Sequence, residues 1–354
     1  MNTTKLLFVL ATVAAAFITQ PAKAKIWRVN NNGYSADFIS LQVANKDNKV
    51  LNGDSIHLEG SATSYGNITI TKKLVIIGPG YFLTENKNSS SNALQATVDY
   101  IEFEGGSQGS QLIGVYVSGI YGITVDVGNI LIKRCKIDYS VHLNYDIADV
   151  RVLQNYFTNT NQSNTSAIVP SIYGFPTDFV FNNNISRKTL LAEANNVIYT
   201  LLECKNNVFD CPAVSGGPSI KMNAGSFQNN IITNPAVTTI INFSTGTGVS
   251  YNVSASANNQ FGTNDNNIVV ADMATLFASA TNNSTDGKYT LRPGSPASNN
   301  GSDGTDRGAF GGLSPANRYT LSGLPAIPVI YEINTSGVAG PGGLQVTIKA
   351  KTIK

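Results

Sequence analysis

Charge is what this chain has least of. Only 13% of its 354 residues are Asp, Glu, Lys or Arg, about half the usual share of roughly 25%. The formal net charge is +2 and no long basic run occurs. That excludes the clustered basic face on which nucleic-acid binding depends. With two His, His57 and His142, and three Cys, no His/Cys spacing for a metal site can be found. Cys204 and Cys211 could close a small loop. An odd number of Cys leaves one thiol unpaired in any case, and the plainer expectation is that Cys135 and Cys204 face inward and pack as small hydrophobes. Past the first two dozen residues no apolar run approaches the roughly 20 residues of a membrane span.

Those first residues read as an export signal. Lys5 precedes an apolar run over 6–18, and Ala22-Lys23-Ala24 fits a small-x-small cleavage site. The expected division is a signal peptide over 1–24, a main body over 25–312 and a capping segment with a tail over 313–354. The protein is therefore expected outside the cytoplasm: extracellular, on the cell surface or in the periplasm.

What fills the place of charge is Asn, Ser, Thr and Gly, residues of turns and repetitive β structure, beside a hydrophobic share of 42%. One phrase recurs: apolar-x-apolar-x-x-Asn-x-apolar. It fits Val150, Val152, Asn155 and Phe157, and again Leu202, Cys204, Asn207 and Phe209. Looser copies fall at Phe227, Asn230 and Ile232, at Phe179, Phe181 and Asn184 with Ser186 last, and at Ile130, Ile132 and Ile137 with Cys135 in the Asn place. The key positions 135, 155, 184, 207, 230 and, more weakly, 254 are spaced by 20, 29, 23, 23 and 24 residues.

A period in the low twenties with alternating apolar runs implies a coil of stacked rungs, each burying one side of its strands against a shared core. The recurring Asn is expected at the corner, taking the left-handed backbone of a sharp bend and bonding its counterparts in a ladder. The step of 29 is a rung with an insertion, placed in the polar stretch 158–171.

Upstream, "GDSIHLEGSATSYGNITITKKLVIIGPG" at 53–80 resembles the N-terminal turns of the right-handed parallel β-helix, or pectin-lyase-like, superfamily. "YTLRPGSPASNNGSDGTDRGAFGG" at 289–312 is similar to the closing segment of many secreted bacterial β-helix proteins. The resemblance covers residues 36–312. It implies an all-β fold, a single-stranded right-handed parallel β-helix (a solenoid) with an N-terminal cap and a C-terminal closing segment. It does not fix a function, since one fold hosts many. A pectate-lyase-like site wants an R-x-P-x-x-R phrase, but the one Arg-Pro, Arg292-Pro293, has no second Arg at that spacing. The Asp-Asp, Gly-His-Gly and Arg-x-Lys phrases of a polygalacturonase are absent, as are those of a pectin methylesterase.

The most charged stretch is 126–153. Shifted by 20 residues, Asp126 falls over Asp146; shifted by 29, Asp149 falls over Asp178, with Asn129 below. Carboxylates on rungs about 4.8 Å apart could share a hard cation, so calcium is the one cofactor these residues admit, and none is required. Lys133, Lys136 and Arg151 are the ligand-binding candidates for an acidic sugar. Lys136, His142, Tyr145 and Arg151 are the candidates for any proton transfer. The plainer account of the same charges is a solvated outer face. Trp27, Tyr65, Tyr116, Tyr121 and Tyr156 offer rings for stacking on sugars, and each suits a rung or cap equally well. The leading expectation is a monomeric, non-catalytic binding protein for extended polysaccharide or cell-surface glycan. The alternatives are a lyase or other enzyme of acidic glycans, and a structural or adhesive surface protein. No nucleic-acid partner and no transmembrane segment are expected.

Overall fold

The computed structural model describes residues 24–86, 89–144, 147–158, 166–243, 248–257, 260–279, 281, 283–335 and 337–352. The expected signal peptide, apart from Ala24, lies outside them. The protein is all-β, with long parallel sheets. The chain returns again and again to a 10-stranded and a 12-stranded sheet, and every ladder pair in both is parallel. A third, four-stranded parallel sheet holds Leu190–Leu191, Thr200–Leu201, Ile220–Ala224 and Thr239–Asn242.

The repeated phrase accounts for this. In the first sheet Val150 lies level with Ile130, and Val152 with Ile132 and Phe181. Phe181 is in turn level with Cys204, and Cys204 with Phe227. These side chains are buried and form one continuous core. Leu202, expected inward, is instead 48% exposed.

The Asn ladder is present and buried. Asn155, Asn184, Asn207, Asn230, Asn252 and Asn267 follow one another up the stack. Each Oδ1 accepts the backbone N–H of the preceding member at 2.8–2.9 Å and its Nδ2 at 2.9–3.2 Å. Each Nδ2 also donates to an interior carbonyl, as Asn207 does to Phe181 O at 2.9 Å. Cys135 heads the column, its N–H donating to Asn155 Oδ1 at 2.9 Å. Two expectations are corrected. The rung above 230 places Asn252, not Ser254, in the ladder. The left-handed residue is the one before the ladder Asn: φ is 54° at Arg134, 59° at Gln154, 56° at Asn183, 54° at Asn206, 57° at Asn229 and 58° at Tyr251. That bend lets the next side chain turn into the core.

The stack's first edge is closed by the helix Leu41–Lys46. Its Gln42 and Asn45 side chains take the place of a neighbouring strand, Gln42 Oε1 accepting Thr69 N–H at 3.0 Å and Asn45 Nδ2 donating to Thr69 O at 3.1 Å. Such cover protects an otherwise free sheet edge.

The other end differs from expectation. The last strand of the stack is Ile268–Val269, well short of residue 312. The segment that follows runs back down the outside as a strap. Outward residues Tyr156, Ile185, Val208, Ile231 and Val253 form a column on the second sheet. Leu276, Tyr289, Ala297, Ala309 and Tyr319 cover it as a second core. Between residues 302 and 324 the strap also meets the left-handed Asn229, Asn183, Gln154 and Arg134 in reverse of their chain order, while Arg307 reaches the rung above. Arg307 Nη1 donates to Asn252 O at 3.1 Å. Asn229 Nδ2 donates to Ser302 Oγ at 3.0 Å, and Asn183 Nδ2 to Gly311 O at 2.9 Å. Further down, Gln154 Nε2 donates to Ala316 O at 2.6 Å and Arg134 Nη1 to Leu324 O at 2.8 Å. Residues 313–324 thus lie on early rungs and do not cap the last one. The tail forms an antiparallel hairpin, Pro328–Thr335 with Val346–Thr352, tied to the early turns where Ser91 N–H donates to Ile330 O at 2.8 Å.

Candidate functional site

Between the outer face of the first sheet and the strap runs a cleft of about 540 Å³. Its floor is a grid set by strand register: Arg151, Val180 and Glu203 stand in one outward column, Leu153, Asn182 and Lys205 in the next. Asp303, Leu313 and Asn317 of the strap line its wall, and Leu202 lies at its floor.

The cations Arg151 and Lys205 are paired with carboxylates, while Asp303 of the strap accepts from Thr305. Arg151 Nε lies 2.6 Å from Asp149 Oδ1, and Lys205 Nζ 2.9 Å from Glu203 Oε1. Asn182 Nδ2 donates to Glu203 Oε2 at 2.7 Å. Burial alone would raise the Glu203 pKa, but the Lys205 ammonium and the Asn182 amide outweigh it and hold the carboxyl below its ordinary value. Glu203 is therefore an acceptor at neutral pH and a poor proton donor. What remains is a row of hydrogen-bonding groups interleaved with Leu153, Leu202 and Leu313.

The sequence candidates divide between faces. Lys133, Lys136 and Arg151 do not converge, because the left-handed bend at Arg134 turns the chain from one sheet to the other between the two lysines. Arg151 lines the cleft. Lys133 sits one rung below it, level with Leu153, and donates to Ala316 O of the strap at 3.1 Å. Lys136 lies on the second sheet, its Nζ 3.7 Å from the Tyr116 ring centre and 3.9 Å from Asp138 Oδ1. Asp138 also accepts from Tyr116 OH at 2.5 Å and Thr158 Oγ1 at 2.8 Å. Burial lowers the Lys136 pKa, against the pull of Asp138. His142 stacks on Tyr139 at 6.0 Å, and burial lowers its pKa. Tyr145 and Asp146 lie outside the described residues.

The described carboxylates are not arranged as the 20-residue shift predicts. The second sheet steps by 18 residues here, Val125 lying level with Leu143, so Asp126 faces Asn144 instead of Asp146. Asn144 Nδ2 donates to Asp126 Oδ1. Asp149 and Asp178 do share a level, both left-handed, with φ of 55° and 58°. Asp149 is already bound to Arg151. Among the described residues no group of three or more His, Cys, Asp or Glu could hold a metal, whereas calcium takes about 6–8 oxygen ligands.

Of the ring candidates, Trp27 is buried with Nε1 donating to Asp54 at 2.8 Å, and Tyr156 is buried beneath the strap. Tyr65 is half-buried with its hydroxyl donating to Glu59 O at 2.9 Å. Tyr121 is exposed and stands edge-on to Tyr100. All three cysteines are buried and free. Among the described residues no helix is long and apolar enough to cross a membrane. Asn182, Glu203, Lys205 and the strap residues were missed by reading the sequence. The rung offsets of 29 and 23 lead from Arg151 to Val180 and Glu203, so part of the signal was there.

No protein-family model, curated protein or solved structure matches the chain.

Proposed function

We propose that this is an exported, right-handed parallel β-helix that binds an extended, hydroxyl-rich polysaccharide along the cleft of its first sheet, without turning it over. The right hand follows the near-universal rule for crossovers between parallel strands. The observation that carries the binding reading is the internally neutralised grid of Arg151, Asn182, Glu203 and Lys205. Its charges are paired, so it favours neutral sugars over polyanions, and its donors and acceptors repeat with the rungs. Glu203, kept ionised by Lys205 and Asn182, is a poor proton donor, which supports binding over hydrolysis.

The test is calorimetric titration of the mature chain with neutral and acidic polysaccharides, with and without calcium, while ultraviolet absorbance reports unsaturated products. Calcium-independent binding of a neutral polymer, weakened about tenfold in Asn182→Ala, is expected. Rising absorbance on an acidic polymer would make the protein a lyase. Silence across the panel would favour a structural or adhesive role.

A further inference from the structure

A second cavity, of about 430 Å³, lies where the strap meets the C-terminal hairpin, and it shares no lining residue with the polysaccharide cleft. It falls in the roughly 300–1,000 Å³ range of small-molecule sites. Phe310, Leu321 and Leu324 give it apolar walls, and Arg318 and Lys351 bring two cations to it. No Asp or Glu lines it. Asp286, the carboxylate behind Tyr319, is buried and saturated: it accepts from Ser284 at 2.7 Å, Asn86 at 3.1 Å and Ser322 N–H at 2.7 Å. Arg318 uses Nε on Gly312 O at 2.7 Å. Lys351 lies 5.5 Å from the Tyr331 ring. Among the described residues neither cation is in an ion pair. Asp306 shares a separate, smaller pocket with Arg318, which makes Lys351 the cleaner residue to change.

Two cations over apolar walls select one chemistry: an anionic head on an apolar body. We infer that this cavity is a binding site for a fatty-acid-like carboxylate, its head between Arg318 and Lys351 and its chain against Phe310, Leu321 and Leu324. The inference is independent of the polysaccharide reading. Lys351 sits on the hairpin and Arg318 on the strap, so an occupant would bridge the two.

Calorimetric titration of the mature chain with decanoate tests it, with decanol as the neutral comparison. One site per chain is expected, with decanol binding about tenfold more weakly. Lys351→Glu should weaken decanoate about tenfold and leave decanol unchanged, and Lys351→Arg should bind like the parent. Lys351 is only partly buried, on the hairpin, so both variants are expected to fold. Absence of saturable binding, equal affinity for decanol, or an unaffected Lys351→Glu variant would each overturn the assignment.

Discussion

The hydroxyls of Tyr81 and Tyr319 meet at 2.7 Å across 238 residues of sequence. Tyr81 belongs to an early excursion of the stack and Tyr319 to the end of the strap, so this contact joins early turns to the returning segment. Tyr319 also donates toward Asp286 at 3.3 Å, and Tyr81 N–H donates to Ser322 O at 2.8 Å. Both phenols are buried, and burial pushes their pKa values far up, keeping them neutral hydrogen-bonding groups. Tyr81→Phe and Tyr319→Phe should each destabilise the fold by about 1–3 kcal/mol, the cost of orphaning a buried polar partner. The double variant should cost less than the sum of the two. Urea unfolding of all four proteins checks the cycle.

Gly323 closes the same clasp. Its φ is +56°, and a Cβ there would lie 2.3 Å from Tyr81 Cε1 and 2.4 Å from Arg134 O. Gly323→Ala should detach the strap's end while the rungs persist. Limited proteolysis should then cut within 313–324 in the variant and not in the parent.

The ladder predicts a contrast between adjacent residues. Asn207→Ala removes the acceptor of Asn184 N–H and Nδ2 inside a buried corner, which should cost several kcal/mol at about 1–3 kcal/mol per orphaned group. Asn206→Gly, at φ of 54°, should change stability by less than about 1 kcal/mol, because glycine accepts the left-handed backbone freely. Asn206→Val should be clearly worse than Asn206→Gly. Thermal or urea midpoints of the three variants decide it.

Acid should weaken the cleft before the core. The folded pKa of Glu203 lies below its ordinary value of 4.5: burial raises it, and Lys205 and Asn182 more than reverse that. Its contribution is therefore fully present above the unfolded value and is lost as pH falls through the depressed folded one. Glu203→Gln should flatten the loss of stability below about pH 4.5 and leave the profile above it unchanged, as a series of urea melts across pH would record.

The thiols should be silent. Burial raises Cys135 and Cys211 to about 12 and Cys204 well above its ordinary value. A thiol-reactive disulfide reagent should find none in the native protein and three after unfolding, matching three free cysteines. Reaction of the native form at the unfolded rate would contradict their burial.

The sequence by itself determined the rung. Inward and outward alternation is a property of neighbouring residues, so Val150, Val152, Asn155 and Phe157 could be oriented without any knowledge of the rest, and the recurring Asn, which at 207 and 230 follows a second Asn, announced the corner. It did not determine which Asn of each pair bends the backbone, since both tolerate the left-handed region and only the core decides which side chain it admits. Register between rungs was legible where the phrase is strict, as from Ile130 to Val150. It failed between Asp126 and Asp146, because the second sheet steps by 18 residues there and not 20. The strap was beyond reach for a further reason. Its docking on Asn183, Gln154 and Arg134 joins residues more than a hundred positions apart, and no local pattern encodes where a returning segment will find its partners. Arg151 could thus be singled out in advance, while the wall that makes its surroundings a cleft came only from tertiary packing.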